Sequence, residues 1–200
     1  MTEHYYSENP QSESKPMSWK YCLRGRDYQF VSDVGVFSKR EVDFGTRLLI
    51  ETFEEPNVSG DFLDLGCGYG PIGIALADHF PNRIVYMVDI NERAVKLAKQ
   101  NAETNRVDNV RILQSDQFSN LKEQSFAAIL TNPPIRAGKK VVFQMYEESH
   151  KALLPDGELW VVIQKKQGAP STKNKLEELF DHVEVMAKKK GYFIFRAQKN

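Results

Sequence analysis

The chain has 200 residues with 41% hydrophobic side chains, which suits one domain with a full core, and its Lys plus Arg equal its Asp plus Glu at 27 each, which excludes binding to nucleic acid or membrane through net charge alone. Cys22 and Cys67 are too few and too separated for a disulfide framework or a zinc site. No amino-terminal stretch resembles a signal peptide and no apolar run nears the ~18 residues of a membrane span, so a soluble cytoplasmic protein without metal is expected.

Residues 1–16 are polar, without a period, and read as an arm in which His4-Tyr5-Tyr6 is the one aromatic cluster. Residues 17–200 read as a single domain. It opens with a hairpin over 18–34, where apolar and polar residues alternate on both sides of Gly25-Arg26-Asp27. Asp43 is a good N-cap for a helix carrying Phe44, Leu48, Leu49 and Phe53 on one face. A short strand at 62–65 leads into Gly66, Gly68 and Gly70, and Pro71 then starts a helix that runs to Pro81. The run 84–88 is a strand of the kind buried on both faces, ending at Asp89, and Asn91 caps a helix through Asn101. Strands at 110–113 and 126–130 end at Ser115-Asp116 and Asn132-Pro133-Pro134. A helix at 141–154 stops at Pro155-Asp156-Gly157, a strand follows at 158–164 and a helix at 173–180. Two closing strands at 182–186 and 192–196 turn at Lys190-Gly191.

Strands alternating with helices at this spacing predict a doubly wound α/β sheet, in which right-handed crossovers bring ligands to the carboxyl ends of the strands. Asp64, Asp89, Asp116 and Asn132 all fall at such ends. Charge is also segregated: residues 1–135 hold 14 basic and 19 acidic side chains but 136–200 hold 13 and 8, so the carboxyl-terminal part could face an anionic substrate, or its lysines merely solvate helix faces.

The glycine turn admits two readings. Gly68-Tyr69-Gly70-Pro71-Ile72-Gly73 satisfies the dinucleotide pattern G-x-G-x-x-G, with Asp89 at about the ~20-residue distance of a ribose-binding acid. That register puts Asp64 inside the strand, where a lone carboxylate is costly. The alternative register, Asp64-x-Gly66-x-Gly68-x-Gly70, ends the strand at Leu65 and resembles the first motif of class I S-adenosylmethionine-dependent methyltransferases. The resemblance implies a Rossmann-like, mostly parallel seven-stranded sheet with an antiparallel last strand. It implies S-adenosylmethionine as cofactor, Asp64 at its methionine part, and Gly66, Cys67, Gly68 and Gly70 against its adenosine. It also implies Asp89 on the ribose hydroxyls, Ile90 on the adenine face, and Ser115 and Asp116 at the adenine amino group.

Asn132-Pro133-Pro134-Ile135 resembles the Asn/Asp-Pro-Pro-aromatic motif of methyltransferases that act on planar amide or exocyclic amino nitrogens, which makes Asn132, Pro133 and Pro134 the catalytic candidates. Ile135 departs from the aromatic that would stack on a flipped base. Arg136, Lys139 and Lys140 stand at the start of the following helix, where they oppose its dipole unless an anion such as a phosphate backbone lies nearby. Gly35-Val36-Phe37-Ser38 with Asp43 and Gly45 resembles the segment preceding the glycine turn in ribosomal RNA guanine-N2 methyltransferases, which places Phe37 and Ser38 at the substrate mouth. Over residues 18–200 the chain is similar to single-domain relatives of the small-subunit ribosomal RNA guanine-N2 methyltransferase, with RNA as expected partner. Two other readings stand beside it: a glutamine N-methyltransferase acting on a translation factor, and a non-catalytic RNA-binding module that keeps the fold.

Overall fold

The computed structural model describes residues 13–36 and 41–200. Strands β1 (Met17–Leu23) and β2 (Arg26–Ser32) form an antiparallel hairpin, and α1 (Phe44–Thr52) follows. Next come β3 (Asp61–Leu65), α2 (Pro71–His79), β4 (Val85–Asp89), α3 (Glu92–Thr104), β5 (Val110–Gln114) and β6 (Phe126–Thr131). The chain ends with α4 (Lys139–Ala152), β7 (Leu153–Gln164), α5 (Ala169–Leu179), β8 (His182–Lys189) and β9 (Tyr192–Gln198). The last seven strands form one sheet in the order β5-β4-β3-β6-β7-β9-β8. Strands β3 to β7 pair in parallel, and β9, the last strand, runs antiparallel between β7 and β8. Among the described residues no helix is long and apolar enough to cross a membrane.

Every residue of β6 is buried, as a central strand covered on both faces requires. From β3 the chain winds outward through β4 to β5, then returns to the other side of β3 as β6. The crossovers therefore diverge at the β3/β6 boundary, and that switch point opens a crevice at the carboxyl ends of the strands. The Thr131 hydroxyl ties the boundary by donating to the Leu65 carbonyl at 2.8 Å. On one face of the sheet Phe53 meets Phe62, Phe80 and Trp160 edge-on at ring separations of 5.2–5.8 Å. Full burial of such side chains stabilises by roughly 1.5–3 kcal/mol each.

Four local features differ from expectation. The hairpin turns at Arg24-Gly25, with φ of 50° and 78°, rather than at 25–27. Two positive φ values match the right-handed strand twist, and Arg24 is held there by donating its N–H to Glu51 and its guanidinium to the carbonyls of Ile50 and Phe53. Helix α4 ends at Ala152, and Pro155-Asp156-Gly157 form a bulge inside β7 as the register jumps from Phe126↔Leu153 to Ala128↔Glu158. Helix α5 starts at Ala169 behind a left-handed Gly168, because Pro170 is tolerated in a first turn. Finally, β8 continues to Lys189 through a bulge between Val185 and Ala187.

The edge of β2 finds its partner in a helix. Asn101 accepts the Val31 N–H and donates to the Val31 carbonyl, at 2.8 and 2.9 Å, and Asn105 does the same for Gln29 at 2.9 and 2.8 Å. Four residues apart, in the last turn of α3 and at its C-cap, the two amides meet alternate residues of the strand as a neighbouring strand would. This docks the hairpin over the glycine turn, where Tyr69 packs edge-on against Trp19 and Phe30 at 5.7 Å each.

Candidate functional site

A cavity of about 790 Å³ lies at the switch point, lined by residues from the ends of β3, β4, β5 and β6 and from the amino terminus of α1. Gly66, Gly68 and Gly70 take φ of 79°, 56° and 101°, a backbone that side chains disfavour. A Cβ at Gly66 or Gly68 would meet no protein atom within 4 Å, so open space covers that part of the turn. Gly73 is needed for another reason: a Cβ there would sit 2.5 Å from Met87 Cγ, and α2 packs that closely on β4.

Two carboxylates brace the turn from below. Asp64 is fully buried; its Oδ2 accepts the Gly73 N–H at 2.8 Å, and its Oδ1 has no hydrogen-bond partner in the structure. Burial, opposed by the Gly73 N–H and reinforced by nearby Asp89, pushes the Asp64 carboxyl up to about 7. Asp89 accepts the N–H of Gly68 on Oδ2 at 2.8 Å and that of Asn91 on Oδ1 at 2.9 Å. Burial raises its carboxyl too, against these backbone donors. With the Ile90 N–H as a further backbone donor, the carboxylate still has acceptor capacity for a hydroxyl.

Asn132 lies where β6 ends. Its amide nitrogen donates to Asp43 Oδ2 at 3.0 Å and to Thr46 Oγ1 at 2.9 Å. A carboxylate only accepts, so the nitrogen must face Asp43, and the carbonyl oxygen is the end of the amide left to accept from a ligand. Asp43 is itself fixed by capping α1, accepting the N–H groups of Gly45 and Thr46, and by the Tyr192 hydroxyl, which donates to Oδ1 at 3.3 Å. Gly45 permits this arrangement, since a Cβ there would fall 2.6 Å from Tyr192 Cε1.

The cavity gathers most of the expected site. Gly66, Cys67, Gly68, Asp89, Ile90, Ser115 and Asp116 line it, as do Asn132, Pro133, Pro134, Ile135 and Arg136. Asp64 lies beneath the turn rather than on the wall, Gly70 caps α2, and Lys139 and Lys140 are exposed at the start of α4 just outside. The Ser115 hydroxyl is engaged within its own loop, donating to the Gln117 carbonyl and accepting the Asn120 N–H, which leaves Asp116 and Gln117, whose buried Oε1 has no partner, as the side-chain acceptors of that loop on the cavity lining. Phe37 and Ser38 lie outside the described residues, but the preceding Gly35 and Val36 line the cavity. Asn91 and Arg93 tie that segment to α3 by donating to the carbonyls of Gly35 and Val34. Sequence reasoning missed Thr46, Gln167 and Tyr192 as cavity residues and took Asp43 only as a helix cap. Their signal lies in folding, since Tyr192 is 149 residues from the Asp43 it meets.

The methyltransferase small domain family matches residues 27–196. The chain is 61% identical over 200 residues, the full length of both, to the uncharacterized protein YbxB of Bacillus subtilis (strain 168). Among solved structures it is similar to the 16S rRNA N2 G1207 methyltransferase (RsmC) of T. thermophilus in complex with AdoMet and guanosine, with a TM-score of 0.83 and 28% identity. That match covers 96% of this chain and 52% of that one, so the chain spans about half of RsmC. It also shares its fold with the ribosomal protein L11 methylase of Lactobacillus delbrueckii subsp. bulgaricus, at a TM-score of 0.65 and 19% identity over 78% of this chain and 79% of that one.

Proposed function

The chain belongs to the methyltransferase small domain family, and we propose that it is an S-adenosylmethionine-dependent N-methyltransferase acting on the exocyclic amino group, N2, of a guanine in ribosomal RNA. The observation that carries the choice of nitrogen is the orientation of Asn132, whose N–H groups are given to Asp43 and Thr46 so that its oxygen is the free acceptor at the cavity wall. An exocyclic amine is a poor nucleophile because its lone pair is delocalised into the ring. Two acceptors that hold its N–H bonds turn the lone pair toward the electrophile. Asn132 Oδ1 and the Pro133 carbonyl take that role, and Pro133-Pro134 hold the backbone in place before substrate arrives. The nitrogen becomes acidic once it carries the methyl group, so its proton leaves to water without a strong base.

The residues fit the cofactor. Open space over Gly66 and Gly68 admits a ligand against the main chain, Asp64 holds one buried oxygen without a partner beneath the turn, and Asp89, on the cavity lining, keeps acceptor capacity beyond its backbone bonds. When bound, S-adenosylmethionine supplies a methyl group on a positively charged sulfur. Asp64 supports the turn from beneath where the methionine part would lie, Asp89 faces the ribose, and Ile90 and Asp116 face the adenine. Ile135, Arg136, Lys139 and Lys140 receive the nucleic acid, with Phe37 and Ser38 at the mouth. Similarity to RsmC over nearly the whole chain supports ribosomal RNA as the substrate class.

The deciding test is incubation of the protein with methyl-labelled cofactor and separated total RNA and total protein from a strain lacking it. Label is expected in ribosomal RNA and, after digestion, in N2-methylguanosine. Label confined to protein would reject the RNA reading.

A further inference from the structure

Beyond Asn132, moving away from the glycine turn across the sheet, come β7, β9 and β8. Their cavity-side ends carry a dense set of lysines. Gln164, the last residue of β7, pairs with Tyr192, which lines the cavity. The next residue, Lys165, donates its N–H to the Gly191 carbonyl at 2.8 Å. That bond joins the 3₁₀ turn Lys165–Gln167 to the β8–β9 turn, so Lys165, Lys166, Lys188, Lys189 and Lys190 share one rim. All five are exposed, and among the described residues none forms a salt bridge. Lys190 Nζ stands 4.8 Å from the ring centroid of Phe44, the residue after Asp43, which places the rim beside the polar network that orients Asn132.

The carboxylates of this part of the chain are elsewhere. Glu177, Asp181 and Glu184 line a separate groove at the opposite end of β8, together with Arg196. Along one strand the charge thus runs from acidic, far from the cavity, to basic beside it. Five clustered like charges repel one another, and a polyanion that neutralises them removes that cost and releases its own counterions.

We propose that this lysine rim is a second RNA-binding surface, which holds the phosphates of nucleotides flanking the target while the target base enters the cavity. The inference rests on the RNA reading above. It places the strand across the β7–β9 end of the site in addition to the start of α4.

The test compares wild type with K165Q/K166Q, K188Q/K189Q/K190Q and the fivefold variant, on small- and large-subunit ribosomal RNA transcribed without modification. Binding is measured across a salt series, and methyl transfer as kcat and KM. The slope of log affinity against log salt should fall by about 0.7–0.9 for each phosphate that is no longer neutralised, and KM for RNA should rise by about tenfold or more in the fivefold variant. Affinity for S-adenosylmethionine and kcat at saturating RNA should stay within about twofold, which also shows that the variants are folded. Variants with the slope and KM of wild type would overturn the rim while leaving the RNA reading intact. Wild type that neither binds nor methylates either RNA would overturn both.

Discussion

Replacing Asp64 by Asn should stabilise the cofactor-free protein in mildly alkaline solution and not in acid. The buried Asp64 carboxyl rises from 3.8 to about 7 on folding, chiefly because burial disfavours its charge. Between those two values the folded state keeps a proton that the unfolded state has lost, so stability falls as pH rises through this window and stays reduced above it. About three pKa units correspond to about 4 kcal/mol. Asn keeps an oxygen to accept the Gly73 N–H and carries no charge, but its amide nitrogen occupies the place of Oδ1, which has no partner, and an unsatisfied buried donor costs about 1–3 kcal/mol. The net expectation is a variant more stable than wild type by about 1–3 kcal/mol at pH 8. Near pH 4, at the lower edge of this window, wild type has lost little of that stability, so the variant should be equal or less stable. Urea unfolding of both proteins at the two pH values measures the crossover. A difference of the same sign and size at both would refute the premise that Asp64 carries its charge at a cost to the fold.

Asp89→Ala should weaken S-adenosylmethionine binding by about tenfold or more, since charge-assisted hydrogen bonds are worth about 1.5–3 kcal/mol each and the same carboxylate also holds the Gly68 N–H. Calorimetric titration with S-adenosylmethionine and then NADH checks this, and binding of NADH alone by wild type would return the turn to the dinucleotide reading. Asn132→Ala should leave cofactor affinity within several-fold of wild type while single-turnover methyl transfer falls by roughly a hundred- to a thousandfold. Asp43→Ser keeps a good helix cap but takes away the carboxylate oxygen that receives the Asn132 amide nitrogen. Its kcat should drop by about 10- to 100-fold with little change in cofactor affinity or melting temperature, and a wild-type rate would show that Asp43 does not orient Asn132.

What the sequence revealed and what it concealed divide along a physical line. Strand ends were legible because an apolar run that stops at Asp89 or Asn132 marks both the limit of burial and the edge where a parallel sheet binds ligands. Proline and glycine misled where context decides their meaning: Pro155-Asp156-Gly157 reads as a helix stop, but pairing with β6 absorbs it as a bulge. Asn101 reads only as the end of a helix and Asn105 carries no local signal, and the docking of β2 makes them surrogates for a neighbouring strand. Asp43 is the sharpest case. As a cap it satisfies a local rule completely, so nothing in the local pattern asks for a further partner.

That double use has a consequence for how the site is held. The bonds that cap α1 fix the carboxylate, the carboxylate fixes the Asn132 amide, and Tyr192 reaches the same carboxylate from the opposite end of the chain. Each partner is supplied by a different element, and each has a packing reason to be there: Thr131 joins β6 to β3, Gly45 clears room for the Tyr192 ring, and Tyr192 pairs with the last residue of β7. The acceptor oxygen of Asn132 is therefore positioned by the fold rather than by its own loop. Such an arrangement keeps the amide from turning its N–H groups toward the cavity, which in the proposed reaction would set donor against donor where the amino group is received.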